Sequence, residues 1–70
     1  MAEIESTHLP GVGDRRDFVT EGGDRIGIVT YLDGRRKLIV FDREDPDRCQ
    51  AVVELREDEL RRLAELSGIA

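Results

Sequence analysis

The 70 residues hold a single cysteine, Cys49, so no internal disulfide can form. With only one histidine, His8, the chain also lacks the Cys/His spacing of a structural metal site. Small secreted domains usually depend on such staples, so an intracellular chain is expected. Tryptophan is missing, and two phenylalanines and one tyrosine are the whole aromatic complement. A core this poor in large side chains, in a domain near the lower size limit for independent folding, rarely supplies more than about 3–5 kcal/mol of net stability and tends to lean on a partner. No apolar run approaches the roughly 20 residues of a membrane span. The opening Met1-Ala2-Glu3-Ile4-Glu5 is acidic and has neither the basic start nor the apolar centre of a signal peptide. Net charge is −5 and the isoelectric point about 4.7. Such a surface repels phosphate backbones, so nucleic acid is not an expected partner.

What is present is a set of short alternating runs separated by strong turn signals. Ala2–Thr7 reads as an edge strand with Ile4 as its one strong apolar residue. Leu9-Pro10-Gly11-Val12-Gly13 reads as a loop, since Pro10 forces Leu9 toward extended geometry and the glycines allow unusual backbone angles. Arg15–Thr20 is the next strand, then a Gly22-Gly23 turn. Arg25–Leu32 follows, with Ile26, Ile28 and Thr30 on one side and Val29 and Tyr31 on the other. Asp33-Gly34 signals a tight hairpin with positive φ at both residues. Arg36–Asp42 alternates Leu38 and Val40 with Ile39 and Phe41. After an acidic loop, Asp42-Arg43-Glu44-Asp45-Pro46-Asp47, comes Cys49–Leu55 with Ala51, Val53 and Leu55 on one face.

The chain closes on a helix over Glu57–Ser67. Leu60, Leu63, Ala64 and Ser67 form its apolar-to-small stripe, with Leu66 at the margin. The acidic first turn suits the helix dipole. Glu57–Arg61 and Asp58–Arg62 are spaced to pair, and Gly68 suits the left-handed stop, with Ile69 folding back on Leu63 or Ala64. Arg56 at the N-cap is a poor capping residue. The fold class is therefore α+β: one domain over 1–70, a curved, half-barrel-like antiparallel meander of four to five strands with one C-terminal helix. The two central strands are apolar on both faces, whereas a sheet with one wet face alternates apolar with polar. One short helix covers only one face, so the other must either curl on itself or meet a second body.

Assembled chemistry is not expected. Gly11-Val12-Gly13 lacks the third glycine of a dinucleotide fingerprint and opens no helix. The carboxylates of Asp42–Asp47 miss the calcium-loop spacing, with Pro46 where a ligand should stand. His8 has no nucleophile or carboxylate at catalytic spacing, and Cys49 has mostly acidic neighbours, so it reads as a small hydrophobe. Catalytic, metal-binding and cofactor-binding residues are accordingly expected to be none, with no cofactor and no small-molecule ligand on this domain. Two features suit docking instead: the rigid apolar loop Leu9, Pro10, Gly11, Val12 and Gly13, and the basic pair Arg35 and Arg36 at the hairpin. For the loop, an end-plug for the sheet is the alternative role. A small core with apolar faces further predicts a homodimer or higher oligomer through the sheet.

The order Leu-Pro-Gly-Val-Gly, Phe18-x-Thr20, Gly23-Asp24-x-Ile26-x-Ile28-Val29, Gly34-Arg35-Arg36-x-Leu38 and Phe41-Asp42-x-x-Asp45-Pro46-Asp47, closed by Leu55 and a Glu59/Leu63-Ala64 helix ending at Gly68, resembles a known domain. It is similar to the N-terminal domain of the regulatory subunits of bacterial potassium/proton antiporters of the KhtT type, over about Glu5 to Gly68. Arg56 departs from the threonine or serine cap such chains often carry. The resemblance implies a non-catalytic regulatory module of ion homeostasis. It would be cytoplasmic, peripheral to the inner face of the membrane, and partnered with an integral-membrane cation/proton antiporter. Family members continue into a TrkA-C-like (RCK_C) domain implied to bind cyclic di-AMP, and that site cannot be carried onto any residue of this chain. The rival reading is a stand-alone oligomerisation or adaptor domain with no transporter link.

Overall fold

A computed structural model describes residues 3–45 and 47–68. Five strands and one helix follow in order: β1 (Glu5–Leu9), β2 (Gly13–Val19), β3 (Arg25–Tyr31), β4 (Arg36–Phe41), β5 (Cys49–Leu55) and α1 (Glu57–Ser67). The strands form one antiparallel sheet in the order β1-β2-β3-β4-β5, a meander whose edges do not meet. The first strand begins three residues later than expected and runs to Leu9. Ala2 lies outside the described residues. The shift follows from pairing: Glu5 to Leu9 match Asp17 to Gly13 one for one, so the ladder, rather than the single apolar Ile4, sets the limits.

The first three hairpins turn on a positive-φ glycine, Gly11, Gly23 and Gly34, whereas the β4–β5 loop has none. Val12 N–H donates to the Leu9 carbonyl at 3.0 Å, with Pro10 at the second position and Gly11 at φ +75° in the third, the pattern of a type II turn. At the β3–β4 tip only Gly34 has positive φ, at +94°; Asp33 does not. The expected two-residue turn with two left-handed residues is therefore replaced by a longer one, closed by Gly34 N–H to Tyr31 O at 3.0 Å and Tyr31 N–H to Arg35 O at 2.9 Å. The longer turn needs only Gly34 left-handed, and the Asp33 carboxylate accepts the Arg35 N–H at 3.1 Å within it.

The register divides the sheet into two unlike faces. One carries Gly13, Asp17, Gly27, Val29 and Ile39, which are its buried residues, with half-buried Tyr31 and Phe41 around them. The sheet curls over this side, and a Cβ at Gly27 would meet Asp17 Cβ at 3.1 Å and Phe41 Cε2 at 3.2 Å. The other face carries Phe18, Ile26, Ile28, Leu38, Val40, Ala51, Val53 and Leu55, none of them buried.

The helix reaches this second face without covering it. Leu60 and Ala64 are half-buried, no helical residue is buried, and Leu66 is 84% exposed. Its start is stronger than Arg56 suggested, because Glu59 Oε1 accepts the Arg56 backbone N–H at 2.9 Å. Arginine has no acceptor to return the bond, so this is half of a capping box. Gly68 ends the helix at φ +78°, and Ile69 lies outside the described residues. Arg61 pairs with Glu57 at 2.9 Å, whereas Asp58 and Arg62 do not come within pairing distance.

Candidate docking surface

Both docking features lie at the same end of the sheet. The β1–β2 turn, the β3–β4 turn and the β5–α1 junction converge there because consecutive hairpins alternate ends, and Gly13 pairs with Tyr31 while Arg36 pairs with Leu55. The two tips are tied directly: Leu32 N–H donates to the Val12 carbonyl at 3.0 Å. Leu9 is half-buried and packs as part of the sheet. Pro10, Gly11 and Val12 are exposed. Val12, 42% exposed, stands near the more exposed Leu32. Of the loop's two apolar side chains, Leu9 is the more enclosed and Val12 stands largely in solvent. Val12→Asp is expected to shift the melting temperature by no more than a few degrees in thermal denaturation, since a charge at a solvated position meets no large desolvation cost.

The basic pair separates. Arg36 lies in the row Thr30–Arg36–Leu55 on the open apolar face and donates to the Gly34 carbonyl at 2.6 Å. Arg35 turns to the opposite side. Its guanidinium donates to Asp33 Oδ2 at 2.7 Å and Glu54 Oε1 at 3.2 Å and sits 5.0 Å over the Tyr31 ring. These carboxylates raise the Arg35 pKa, through hydrogen bonding to Asp33 first. Lys37 also lies over Tyr31, at 5.5 Å. Arg35 is thus held in a solvent-exposed ion-pair cluster with Asp33 and Glu54, and of the two arginines only Arg36 faces the apolar surface.

That surface is the main feature of the site. A cleft of about 420 Å³ runs across it, floored by Phe18, Ile26 and Ile28, with Ile4 and Leu60 at the rim and Arg16 and Arg36 as its basic flank. At the far end of the sheet, Arg43 clasps two loops together. It donates to Asp24 Oδ1 at 2.7 Å and to the Gly22 carbonyl at 2.7 Å, and this hydrogen bonding holds the Asp24 carboxyl below its ordinary pKa. That clasp fixes the β2–β3 turn against the loop after β4 and leaves the open face unobstructed.

On the buried face the structure adds a group that sequence reasoning missed. Asp17 is 2% exposed and pairs with Arg25 through a short contact and with Arg15, whose Nε lies 3.1 Å from Oδ2. The Arg15 contact is a charge contact without hydrogen-bond alignment, and Nε is buried with no hydrogen-bond partner. Glu5 approaches Arg25 at 3.5 Å, and Arg15 sits 6.0 Å from the Phe41 ring centroid. The cluster is a polar core satisfied by charge. The one local signal was period-2 position: Asp17 shares the alternation of Val29 and Ile39 across the ladder. His8, expected to be alone, pairs with Asp14 at 3.0 Å, both exposed. Among the described residues, no three His, Cys, Asp or Glu side chains are grouped as a metal would need, and no helix is long and apolar enough to cross a membrane.

The described residues thus form a small open antiparallel β-sheet with one face closed around Val29 and Ile39, an apolar face on which no residue is buried, and one short helix. A family model for the N-terminal domain of the K(+)/H(+) antiporter subunit KhtT matches residues 2–69, and the chain belongs to that family. Among curated proteins it is similar to the uncharacterized protein YrvC of Bacillus subtilis (strain 168), 34% identical over 65 residues, which are 93% of this chain and 39% of that protein. The K(+)/H(+) antiporter subunit KhtT of the same strain is 31% identical over 65 residues, with the same coverage of 93% and 39%. The ammonium/H(+) antiporter subunit AmhM of Alkalihalophilus pseudofirmus is 33% identical over 67 residues, 94% of this chain and 40% of that protein. The chain thus spans 39–40% of the length of these relatives.

Proposed function

We propose that this domain is a non-catalytic regulatory module of a potassium or other cation/proton antiporter, working by protein–protein contact at the inner face of the membrane. The observation that carries the reading is the incompletely covered apolar face, on which Phe18 is exposed and Ile26, Ile28, Leu38 and Val40 are only half-buried, so that the chain's own helix does not close it. Apolar area left in water is a favourable site for association, and membership of an antiporter-subunit family supplies the partner class. The tip of Pro10–Val12 with Leu32 extends the surface at one end, and Arg36 and Arg16 give it a basic flank. Control follows from differential affinity: the domain shifts the transporter between two states only by as much as its contacts differ between them.

The test is co-purification of the full-length protein with a candidate integral-membrane antiporter. The wild type and a Phe18→Leu variant are expected to retain the transporter. Phe18→Glu, which places a charge on the cleft floor, is expected to lose most of it while circular dichroism stays native. A folded Phe18→Glu protein that captures the antiporter at wild-type yield would sink the proposal.

A further inference from the structure

The cleft on the open face is flanked by two arginines that the chain leaves without a carboxylate. Arg15, Arg25, Arg35, Arg43 and Arg61 are all held in ion pairs. Arg16 makes no hydrogen bond or ion pair among the described residues, and Arg36 donates to the neutral Gly34 carbonyl. Acids are not scarce, since the chain carries 16 of them against 11 basic residues. They are engaged elsewhere. Asp14, in the row of Thr30 and Arg36, pairs with His8 at 3.0 Å. At the start of α1, Glu57 pairs with Arg61 and Glu59 accepts the Arg56 N–H. Ile28 and Thr30 lie between the two arginines on β3, and Phe18 and Ile26 continue the floor beyond Arg16.

We infer that this cleft receives an acidic amphipathic helix of the antiporter, with its apolar stripe on Phe18, Ile26 and Ile28 and its carboxylates on Arg16 and Arg36. A helix fits where a strand does not. An extended segment laid on a sheet face has no ladder to join, so its buried N–H and C=O groups go unpaired, whereas a helix satisfies its own. The sheet also has room. Its five strands, about 4.8 Å apart, make a surface about 19 Å wide, and packed helices stand about 8–10 Å apart, so α1 takes one place of two. The arginines set the spacing of the acids. Arg16 and Arg36 are two strands and two residues apart in register, which puts their Cα atoms about 12 Å apart. Two helical turns, about seven residues, span about 10.5 Å on one face. Carboxylates at that spacing, with apolar residues at the turn between them, meet both guanidinium groups. Charge decides against a lipid surface as the occupant. A chain of net charge −5 is repelled by an anionic leaflet, and two arginines fall short of the basic clusters that bind there. The inference rests on the reading that the open face docks an antiporter, and adds the kind of segment it takes.

Two experiments test it. In the first, a synthetic helical peptide with a leucine stripe and two glutamates about seven positions apart is titrated into the 70-residue chain and followed by fluorescence anisotropy. Saturable binding is expected, weakened by added salt and weakened at least about tenfold when lysines replace the glutamates. Arg16→Glu/Arg36→Glu is expected to reverse that preference, and vesicles containing anionic phosphatidylglycerol are expected not to bind. Absence of saturable binding, equal binding of the two peptides, or capture by the vesicles overturns the inference. In the second, Arg16→Glu/Arg36→Glu is placed in the full-length protein, with Arg16→Gln/Arg36→Gln as the milder pair if reversal disturbs the circular dichroism. Loss of most of the antiporter in co-purification is expected. Capture at wild-type yield, as when the cleft is filled by another part of the same protein, overturns the acidic helix and leaves the docking reading to the Phe18→Glu result. A wild-type protein that captures no antiporter sinks that reading, and this inference with it.

Discussion

A Gly13→Ala chain is expected to be recovered unfolded, with no cooperative thermal transition and no β-sheet signal by circular dichroism. Gly13 has φ +150° and lies against β3, and a Cβ there would sit 1.8 Å from the Thr30 carbonyl oxygen and 2.9 Å from its carbon. The obstacle is backbone of a central strand, so no rotamer change relieves it. Relief requires β2 to move off β3 at the end where the β1–β2 turn, the Leu32–Val12 bond and the helix start converge. Overpacking in a deformable core costs about 1–3 kcal/mol, and a clash with a paired backbone costs more, whereas a domain of this size rarely has more than about 3–5 kcal/mol of net stability to lose. Gly11→Ala is the control. Its Cβ would meet nothing within 4 Å, so only the strained φ is charged, on the order of 1 kcal/mol.

Asp17→Ala is expected to lower stability by about 2–4 kcal/mol, a fall in melting temperature on the order of 10–20 °C. The carboxylate is buried between Arg15 and Arg25 on the face that holds the core. Removing it leaves two guanidinium groups facing one another beside Phe41 and a space under Gly27. The arginines are 37% and 36% exposed and recover some hydration, which keeps the cost below that of a fully buried pair. Asp17→Asn retains the shape and loses the charge. A melting temperature for Asp17→Asn near the wild type would show that packing, and not the ion pairs, sets the value.

The self-buried face explains how so small a core stands. Its apolar residues are few, and the sheet curls until Val29 and Ile39 are enclosed around the Asp17 cluster. The same curl leaves the other face without a lid. Of the two alternatives open at the level of sequence, closure holds on the side of Val29 and Ile39, and the side of Ile28 and Leu38 stays incompletely covered.

Much of the architecture was legible without coordinates because it rests on local rules. Pro10-Gly11, Gly22-Gly23 and Asp33-Gly34 marked the turns, period-2 alternation marked Arg25–Tyr31 and Arg36–Phe41, and Glu57 to Gly68 carried both ends of the helix. Family membership was legible for the same reason, as an ordered series of turn and strand signals. Long-range placement decided the rest. Asp17 drew no reading from the sequence; pairing sets it opposite Gly27, where the missing side chain makes room for a carboxylate. Arg35 and Arg36 looked like one patch, yet adjacent residues at a strand start leave on opposite faces, and Asp33 and Glu54 hold the first away from the second. The exposure of the apolar face depended on how far an 11-residue helix reaches after a sharp exit from β5. Periodicity tells which residues share a face, but whether anything lies over that face is fixed only by the path of the chain in three dimensions.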